Sequence, residues 1–449
     1  MRLEFLGHAS LLLRSGDVAL LFDPLLFGVH HQGLYDLYPP RELDVAAMPA
    51  IDAVVLSHAH RDHFDLESIA RLDRRTPILA AADPDLLGCL AGLGFDQVQP
   101  LAVGVPFTAG DATITPTAAA DGAIEHGFLI EEGGAAVWNL VDTFPSAATI
   151  AEVKRRVGAI DLLLAPWQPL QDATFPSGAP VVFPYDMYRV VLDNILQIAP
   201  RALVPGACGF RAIGPAAWTN HLSCPLTRDR VLADVAAAAP HLAGHLLVME
   251  PGDALHVAPG VLARELGLLP YCRSDRAAYR WEELAYRPFD LGPPVVEPRG
   301  DAFTRDACLL DLRGERPELR EGPSPLALAH TILPASLLIG LVAGTIAWDY
   351  ALLSGELRQH DHTYRVDDAG LRLPHRRLVD PLAHLLGSPA AEEHHLALCV
   401  ERLRAEIGDD APIRPSEGER APLIDGGAVM RQVLDALAAA GLDPGGVGR

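Results

Sequence analysis

Three imidazoles and a carboxylate crowd into Ser57-His58-Ala59-His60-Arg61-Asp62-His63. Imidazole nitrogen and carboxylate oxygen are the ligands that zinc, iron and manganese accept. The run follows Ala53–Leu56, an unbroken apolar segment that reads as a strand covered on both faces. At the end of an extended strand, His58 and His60 point to the same side and can share one metal. As the chain turns into a helix, Asp62 and His63 swing toward a second position. Two metals about 3.5–4 Å apart can share a bridging hydroxide. The expected cofactor is therefore a pair of divalent ions, zinc first, with iron or manganese as alternatives. Each ring needs a partner for its other nitrogen. Asp62 is also placed to orient the hydroxide and accept its proton. The bland alternative is a histidine-rich polar loop, and the order H-x-H-x-D-H directly after V-V-L-S argues against it.

The elements that must position this cluster alternate. Leu3–Phe5, Ser10–Leu13, Val18–Phe22 and Pro77–Ala81 read as strands, and Leu66–Leu72 and Pro84–Gly94 as helices, the second closed by its glycine. Strands follow at Ala112–Thr115, Phe128–Glu131, Ala136–Leu140, Asp161–Ala165, Arg201–Pro205 and Leu246–Met249. Tyr185–Ala199 and Thr227–Ala239 carry helical patterns, with Thr227 as N-cap. The alternation predicts a layered α/β domain over 1–255. Proline-rich connectors mark 256–325, although Ala307–Leu312 has strand character. From 326 to 449 the chain predicts an accessory α+β or mostly helical domain (a lid, a pocket or a dimer contact). Its last helix is expected at Ala428–Ala440.

With 449 residues, 49 % of them hydrophobic, the chain can bury a substantial core. A formal net charge of −22 disfavours nucleic acid and anionic membrane surfaces as partners. The six cysteines form no C-x-x-C or C-x-H pair, which fits reduced thiols in a cytoplasmic protein and argues against a Rieske cluster or a zinc knuckle. Ile332–Trp348 is apolar but falls short of the roughly 20 residues of a membrane span, and Pro334, Gly340 and Gly344 interrupt it.

The opening LGHASLLL, LLFDP at Leu20–Pro24, VVLSHAHRDHFD at Val54–Asp65 and WNLVDTF around Asp142 together resemble the metallo-β-lactamase superfamily. Within it, the chain is similar to the branch of ascorbate-6-phosphate lactonase and N-acylphosphatidylethanolamine phospholipase. VPGACGF, WTNHLSCP and EPGD resemble instead the non-Rieske part of CMP-N-acetylneuraminate hydroxylase. The likeness covers roughly the first 250 residues. It implies an αββα sandwich with metals at the edge between its sheets, and a carboxylate, Asp142, that bridges them. His8 would support a ligand from behind or face the substrate, and Asp23 would be a buried support for the histidine loop. A further histidine ligand is implied before Asp142, and His126 is the one histidine in that interval, with Asp121 as the alternative. The last ligand is implied after a later strand, where Val204-Pro205-Gly206-Ala207 has no histidine; His221 is the next. The loop carrying His30, His31 and Tyr35 follows the LLFDP strand and is expected to line the substrate pocket or to supply a ligand.

The leading expectation is a metal-dependent hydrolase acting on a small ester, lactone, amide or phosphodiester. A dinuclear iron oxygenase or oxidase on the same scaffold is the second, and a binding module without catalysis the third. GxSxG and Walker patterns are absent. The later pairs His360-Asp361-His362 and His394-His395 lack a strand–turn context and are expected on a surface or a helix face. A homodimer is left open.

Overall fold

A computed structural model describes residues 1–169, 183–223, 226–277, 279–284, 307–313, 316–321, 329–361, 365–367, 370–372, 385–408, 412–416 and 423. Two sheets dominate it. The first runs, in spatial order, Val261–Glu265, Ala254–Ala258, Arg2–Gly7, Ser10–Ser15, Val18–Phe22, Ala53–Leu56, Ile78–Ala81 and Val98–Leu101. The second runs Phe107–Ala109, Ala112–Ala118, His126–Glu132, Ala135–Asn139, Leu162–Ala165 and Leu203–Pro205. Each sheet mixes antiparallel hairpins with parallel strands joined through helices.

Side-chain alternation along the strands separates the layers. Leu11, Leu13, Leu20, Phe22 and Val55 face inward and meet Ile114, Phe128, Ile130, Val137 and Leu164 of the second sheet in one core. The intervening Leu12, Leu21, Val54 and Leu56 face outward, under the helices Leu66–Ala70 and Pro84–Leu93. On the other side, Leu129, Trp138, Leu163 and Leu203 are covered by the helices Ala147–Val157, Tyr185–Ile198 and Arg228–Ala238. The result is the four-layered αββα sandwich that the resemblance implies. Burial on both faces explains why these strands read as near-continuous apolar runs.

The helix ends follow their local chemistry. Asp65, Asp83 and Thr227 cap the helices that follow them, and Gly94 closes its helix at φ 92°. Leu246–Met249 forms no strand; Leu246 makes only an isolated bridge to Leu203. The first sheet also continues past residue 255, because Ala254–Ala258 folds back on Val261–Glu265.

The C-terminal block is α+β rather than mostly helical. A sheet ordered Arg316–Glu321, Ala307–Arg313, Ala329–Pro334 and Arg358–Asp361 lies with the helices Ala335–Val342 and Trp348–Leu353. The apolar stretch from Ile332 splits at Pro334 into a strand end and a short helix, and among the described residues no helix is long and apolar enough to cross a membrane. A 19-residue helix, Pro389–Ile407, was not expected; Ser388 caps it. It packs Leu396, Val400, Leu403 and Ile407 onto the outer face of the first sheet's helices. The helix expected at 428–440 and His362 lie outside the described residues.

Phe22 and Phe128 meet edge to face between the sheets, with centroids 5.2 Å apart. Phe128→Ala is expected to destabilise the fold by about 3–5 kcal/mol, read from the midpoint of chemical denaturation. A loss below about 1 kcal/mol would show that this contact does not anchor the two sheets.

Candidate metal centre

The cluster sits where parallel strands of the first sheet end. Val18–Phe22 and Ala53–Leu56 pair in parallel, Phe22 beside Val55, so Asp23 and Ser57 emerge next to each other. Asp23 is buried, at φ 39°. Its Oδ1 accepts the Ser57 N–H at 2.8 Å, and its Oδ2 accepts the Ser57 hydroxyl at 2.6 Å. The same Oδ2 lies 3.1 Å from His63 Nδ1. A carboxylate only accepts, so His63 carries its proton on Nδ1 and turns the Nε2 lone pair outward. The single Ser57 proton is given to Asp23. Its oxygen, 2.9 Å from His58 Nδ1, must therefore accept from that ring. One aspartate thus sets both tautomers and leaves both Nε2 atoms free to bind a cation.

Beyond Ser57 the chain makes a tight turn. The N–H groups of His63 and Phe64 both donate to the His60 carbonyl, and Asp65 caps the next helix. His58 Nε2 and His60 Nδ1 then lie 2.9 Å apart. Asp142 reaches in from the second sheet, after Ala135–Asn139. Its Oδ2 is 3.6 Å from His58 Nε2 and 3.3 Å from His63 Nε2. Glu125 Oε1 is 3.7 Å from His60 Nε2. Two nitrogen ligands of one tetrahedral zinc stand about 3.3 Å apart, so these separations suit donors around shared ions. Among the described residues, three groups meet the spacing needed to hold a metal: His58, His60 and Glu125; His58, His63 and Asp142; and His8, Asp62 and His63.

The electrostatics point the same way. Burial lowers the His58 pKa to about 4, which keeps the ring neutral. Burial would do the same to His63, but the Asp142 and Asp62 carboxylates prevail and hold its pKa well above the ordinary value. Burial also opposes ionisation of Asp142, yet His63 and His58 outweigh it and keep that carboxyl below the usual range. The pocket therefore favours positive charge at His63 Nε2. In the protein alone, His63 Nε2 and Asp142 Oδ1 are buried without a hydrogen-bond partner. A buried ring nitrogen held next to carboxylates, and a carboxylate oxygen left unpartnered, are what a cation taking the place of the His63 Nε2 proton would satisfy, so the residues present fit divalent metal.

His8 is different. Its Nδ1 accepts the Gly209 N–H at 3.0 Å, which leaves the proton of the neutral ring on Nε2. That nitrogen lies 3.1 Å from Asp62 Oδ2. His8 therefore orients Asp62 instead of offering a lone pair of its own. Its ring meets His63 at a tilt, with centroids 4.9 Å apart, and Phe210 edge to face at 5.6 Å. Tyr35 and His30 continue this wall through Phe210, at 4.9 and 6.4 Å.

The other expected ligands stand elsewhere. His126 joins none of the three groups; its ring is buried, with the pKa lowered to about 4 by that burial. Glu125 faces the cluster in its place, because neighbouring residues entering a strand point to opposite sides. Sequence reasoning missed Glu125, although the His126 N–H donates to the Ser57 carbonyl and ties this strand to the metal loop. Asp121 is exposed and turns back to accept the Ala123 N–H. His30, His31 and Tyr35 also join no group. His221 lies on the short helix Asn220–Ser223, and its side chain is outside the described residues.

Asp23→Asn is expected to lower metal affinity about 10–100-fold, since an amide N–H would face a ring proton or the Ser57 hydroxyl. Zinc titration against a competing chelator measures this. Unchanged affinity would show that Asp23 does not set the ligands.

Residues 19–202 match the model of the beta-lactamase superfamily domain. A UPF0173 metal-dependent hydrolase of Salinibacter ruber is 30 % identical over 178 residues, which cover 37 % of this chain and 72 % of that protein. A putative Rieske 2Fe-2S iron-sulfur protein of Mycolicibacterium smegmatis is 26 % identical over 227 residues, or 46 % of this chain and 43 % of its own length. The chain thus spans less than half of that second relative. Among solved structures, the isothiocyanate hydrolase from Delia radicum gut bacteria aligns with a TM-score of 0.43 at 17 % identity, over 57 % of this chain and 99 % of that one. With its sandwich, its histidine loop, the domain match over residues 19–202 and the Salinibacter ruber relative, the chain belongs to the metallo-β-lactamase superfamily.

Proposed function

We propose that this chain is a metal-dependent hydrolase whose metals are held at the sheet edge by His58, His60 and Glu125 on one side and His63 and Asp62 on the other, with Asp142 between them. The observation that carries this is the convergence of His58 and His63 Nε2, their rings fixed from behind by Ser57 and Asp23, on Asp142 Oδ2 at 3.6 and 3.3 Å, beside an Asp142 Oδ1 that is buried with no hydrogen-bond partner among the described residues. The designation of the Salinibacter ruber relative as a metal-dependent hydrolase agrees with it. Bound metals supply an acidified water and polarise the electrophile of an ester, lactone, amide or phosphodiester.

The protein's own part is preorganisation. Asp23 and Ser57 lock the rings before any ligand arrives. His63 and His8 outweigh the burial of Asp62 and hold its carboxyl well below the ordinary value. Asp62 is therefore ionised near neutral pH, and a quarter of its side chain is open to solvent. It is placed to accept the proton of an attacking water. The wall of His8, Phe210, Tyr35 and His30 bounds the substrate on one side.

A second reading, a dinuclear iron oxygenase or oxidase, is favoured by the carboxylate content of the set. Glu125 stands where a further histidine was expected, which gives three imidazoles and three carboxylates. Such a set suits iron or manganese as well as zinc.

Elemental analysis of protein purified without chelator separates the two. Zinc together with hydrolysis of a lactone or phosphodiester panel supports the first; iron with a visible band and oxygen consumption supports the second. His60→Ala and Glu125→Ala should each lower the metal content and abolish activity. Full occupancy in either variant would remove that residue from the ligand set. Chelation should also lower the melting temperature, because a ligand at 100 times its Kd stabilises the native state by about 2.7 kcal/mol.

A further inference from the structure

The chain beside the metal loop is strained. His31 and Gln32 are consecutive non-glycine residues in the left-handed region, at φ 50° and 55°. Such conformations persist only where surrounding structure enforces them. The residue before them, His30, is buried. Its Nδ1 lies 3.0 Å from the Gly28 carbonyl, so its Nε2 carries a lone pair, and that atom has no hydrogen-bond partner among the described residues. Desolvation keeps this ring neutral, with its pKa lowered to about 4, and it lies in the field of Asp62 and His8.

Both strained residues take their side-chain partners from the C-terminal block. His31 Nε2 lies 3.1 Å from Asp349 Oδ2, on the helix Trp348–Leu353. The Gln32 side-chain amide lies 3.1 Å from His395 Nε2, on the helix Pro389–Ile407. His395 gives its Nδ1 proton to the Gly344 carbonyl at 2.7 Å, so its Nε2 must accept from Gln32. Arg61, between two proposed ligands, pairs with Glu392 of the same helix. These contacts surround a cavity of about 610 Å³ that is lined by His30, His31, Arg61, Asp349 and His395 among others.

We infer that the C-terminal block is a positioning element of the site: Asp349 and His395 reach across to hold the left-handed turn at His31–Gln32, and through it the buried His30 of the substrate wall. They are positioning residues, since neither is among the groups that converge on the metals. The inference does not depend on which metal binds or which reaction follows.

Hydrogen exchange on the full chain tests it. The Leu34 and Leu37 amides are bonded within this loop, to the His31 and Gly28 carbonyls. In Asp349→Ala and His395→Ala they should exchange about tenfold faster, a change of about 1.4 kcal/mol in local opening. Strand amides of both sheets should keep their protection. Asp349→Asn, which retains an acceptor for His31, should exchange like the parent. Unchanged exchange in both alanine variants would overturn the inference, and so would a uniform rise along the chain. Should an alanine variant not fold, the contrast between Asp349→Asn and the isosteric, apolar Asp349→Leu decides, and equal loop exchange in the two would overturn it.

Discussion

A single buried carboxylate organises the metal edge. Asp23 accepts from the Ser57 amide, the Ser57 hydroxyl and His63 Nδ1, and through Ser57 it also fixes His58. In a low-dielectric interior each of these bonds is stronger than in water, and each unmade one costs more. The same network answers two demands. It satisfies a charge that folding has taken out of water, and it decides which nitrogen of each ring faces the candidate metal centre. Without it, either imidazole could present an N–H to the cluster, and a proton cannot share the position of a cation.

This arrangement depends on strand register. Asp23 and Ser57 meet because Phe22 pairs with Val55 in a parallel ladder, and the Asp23 N–H donates to the Val55 carbonyl. A slip of one residue would turn every side chain of a strand to its other face. That slip is opposed by Phe22 and Val55 in the inter-sheet core and by Leu21, Val54 and Leu56 under the helices. Asp142 enters by a different route, from the facing sheet, past Val141 at φ 58°. A β-branched residue there is strained. The Val141 N–H is anchored on Asn139 Oδ1, and Thr143 bonds back to the Leu140 carbonyl. The core therefore does more than stabilise: it sets the separation of two sheets that each contribute residues to the candidate metal centre.

What the sequence disclosed and what it hid divide along local and non-local lines. H-x-H-x-D-H is legible because its residues are neighbours in the chain, and their geometry follows from one strand end and one turn. The sandwich is legible from alternating apolar runs and capped helices. Glu125 was not. Whether it or His126 faces the cluster depends on the phase of the strand His126–Glu132, which is set by pairing Ala118 with His126 and Thr117 with Gly127. Residue type favoured the histidine, and register favoured the glutamate. The C-terminal sheet was hidden for a similar reason. The stretch from Ile332 has no period that separates a buried strand from a buried helix, and its strand portion is defined by distant partners at Cys308 and Leu309. The helix Pro389–Ile407 was not expected, although a capping Ser388 followed by Pro389 at its first turn is a local start signal.

That helix also bears on what counts as the domain. The family model matches residues 19–202, yet among the described residues Leu396, Val400, Leu403 and Ile407, far outside that span, complete the first sheet's helical layer. The helices approach closely: a Cβ added at Gly92 would lie 3.0 Å from Val400 Cγ1. Arg404 donates to the Gly92 carbonyl beside it. After the helix, Ile413 and Pro415 bridge to Leu72 and Ile51 at the base of the metal-bearing layer. A sandwich cut after its last strand would leave this apolar face open, and contiguous exposed apolar surface of that kind favours association. The C-terminal block is thus bound to the sandwich by burial as well as by its polar contacts to the His31–Gln32 turn. One physical cause, the covering of the outer helices, brings its side chains within reach of the metal loop.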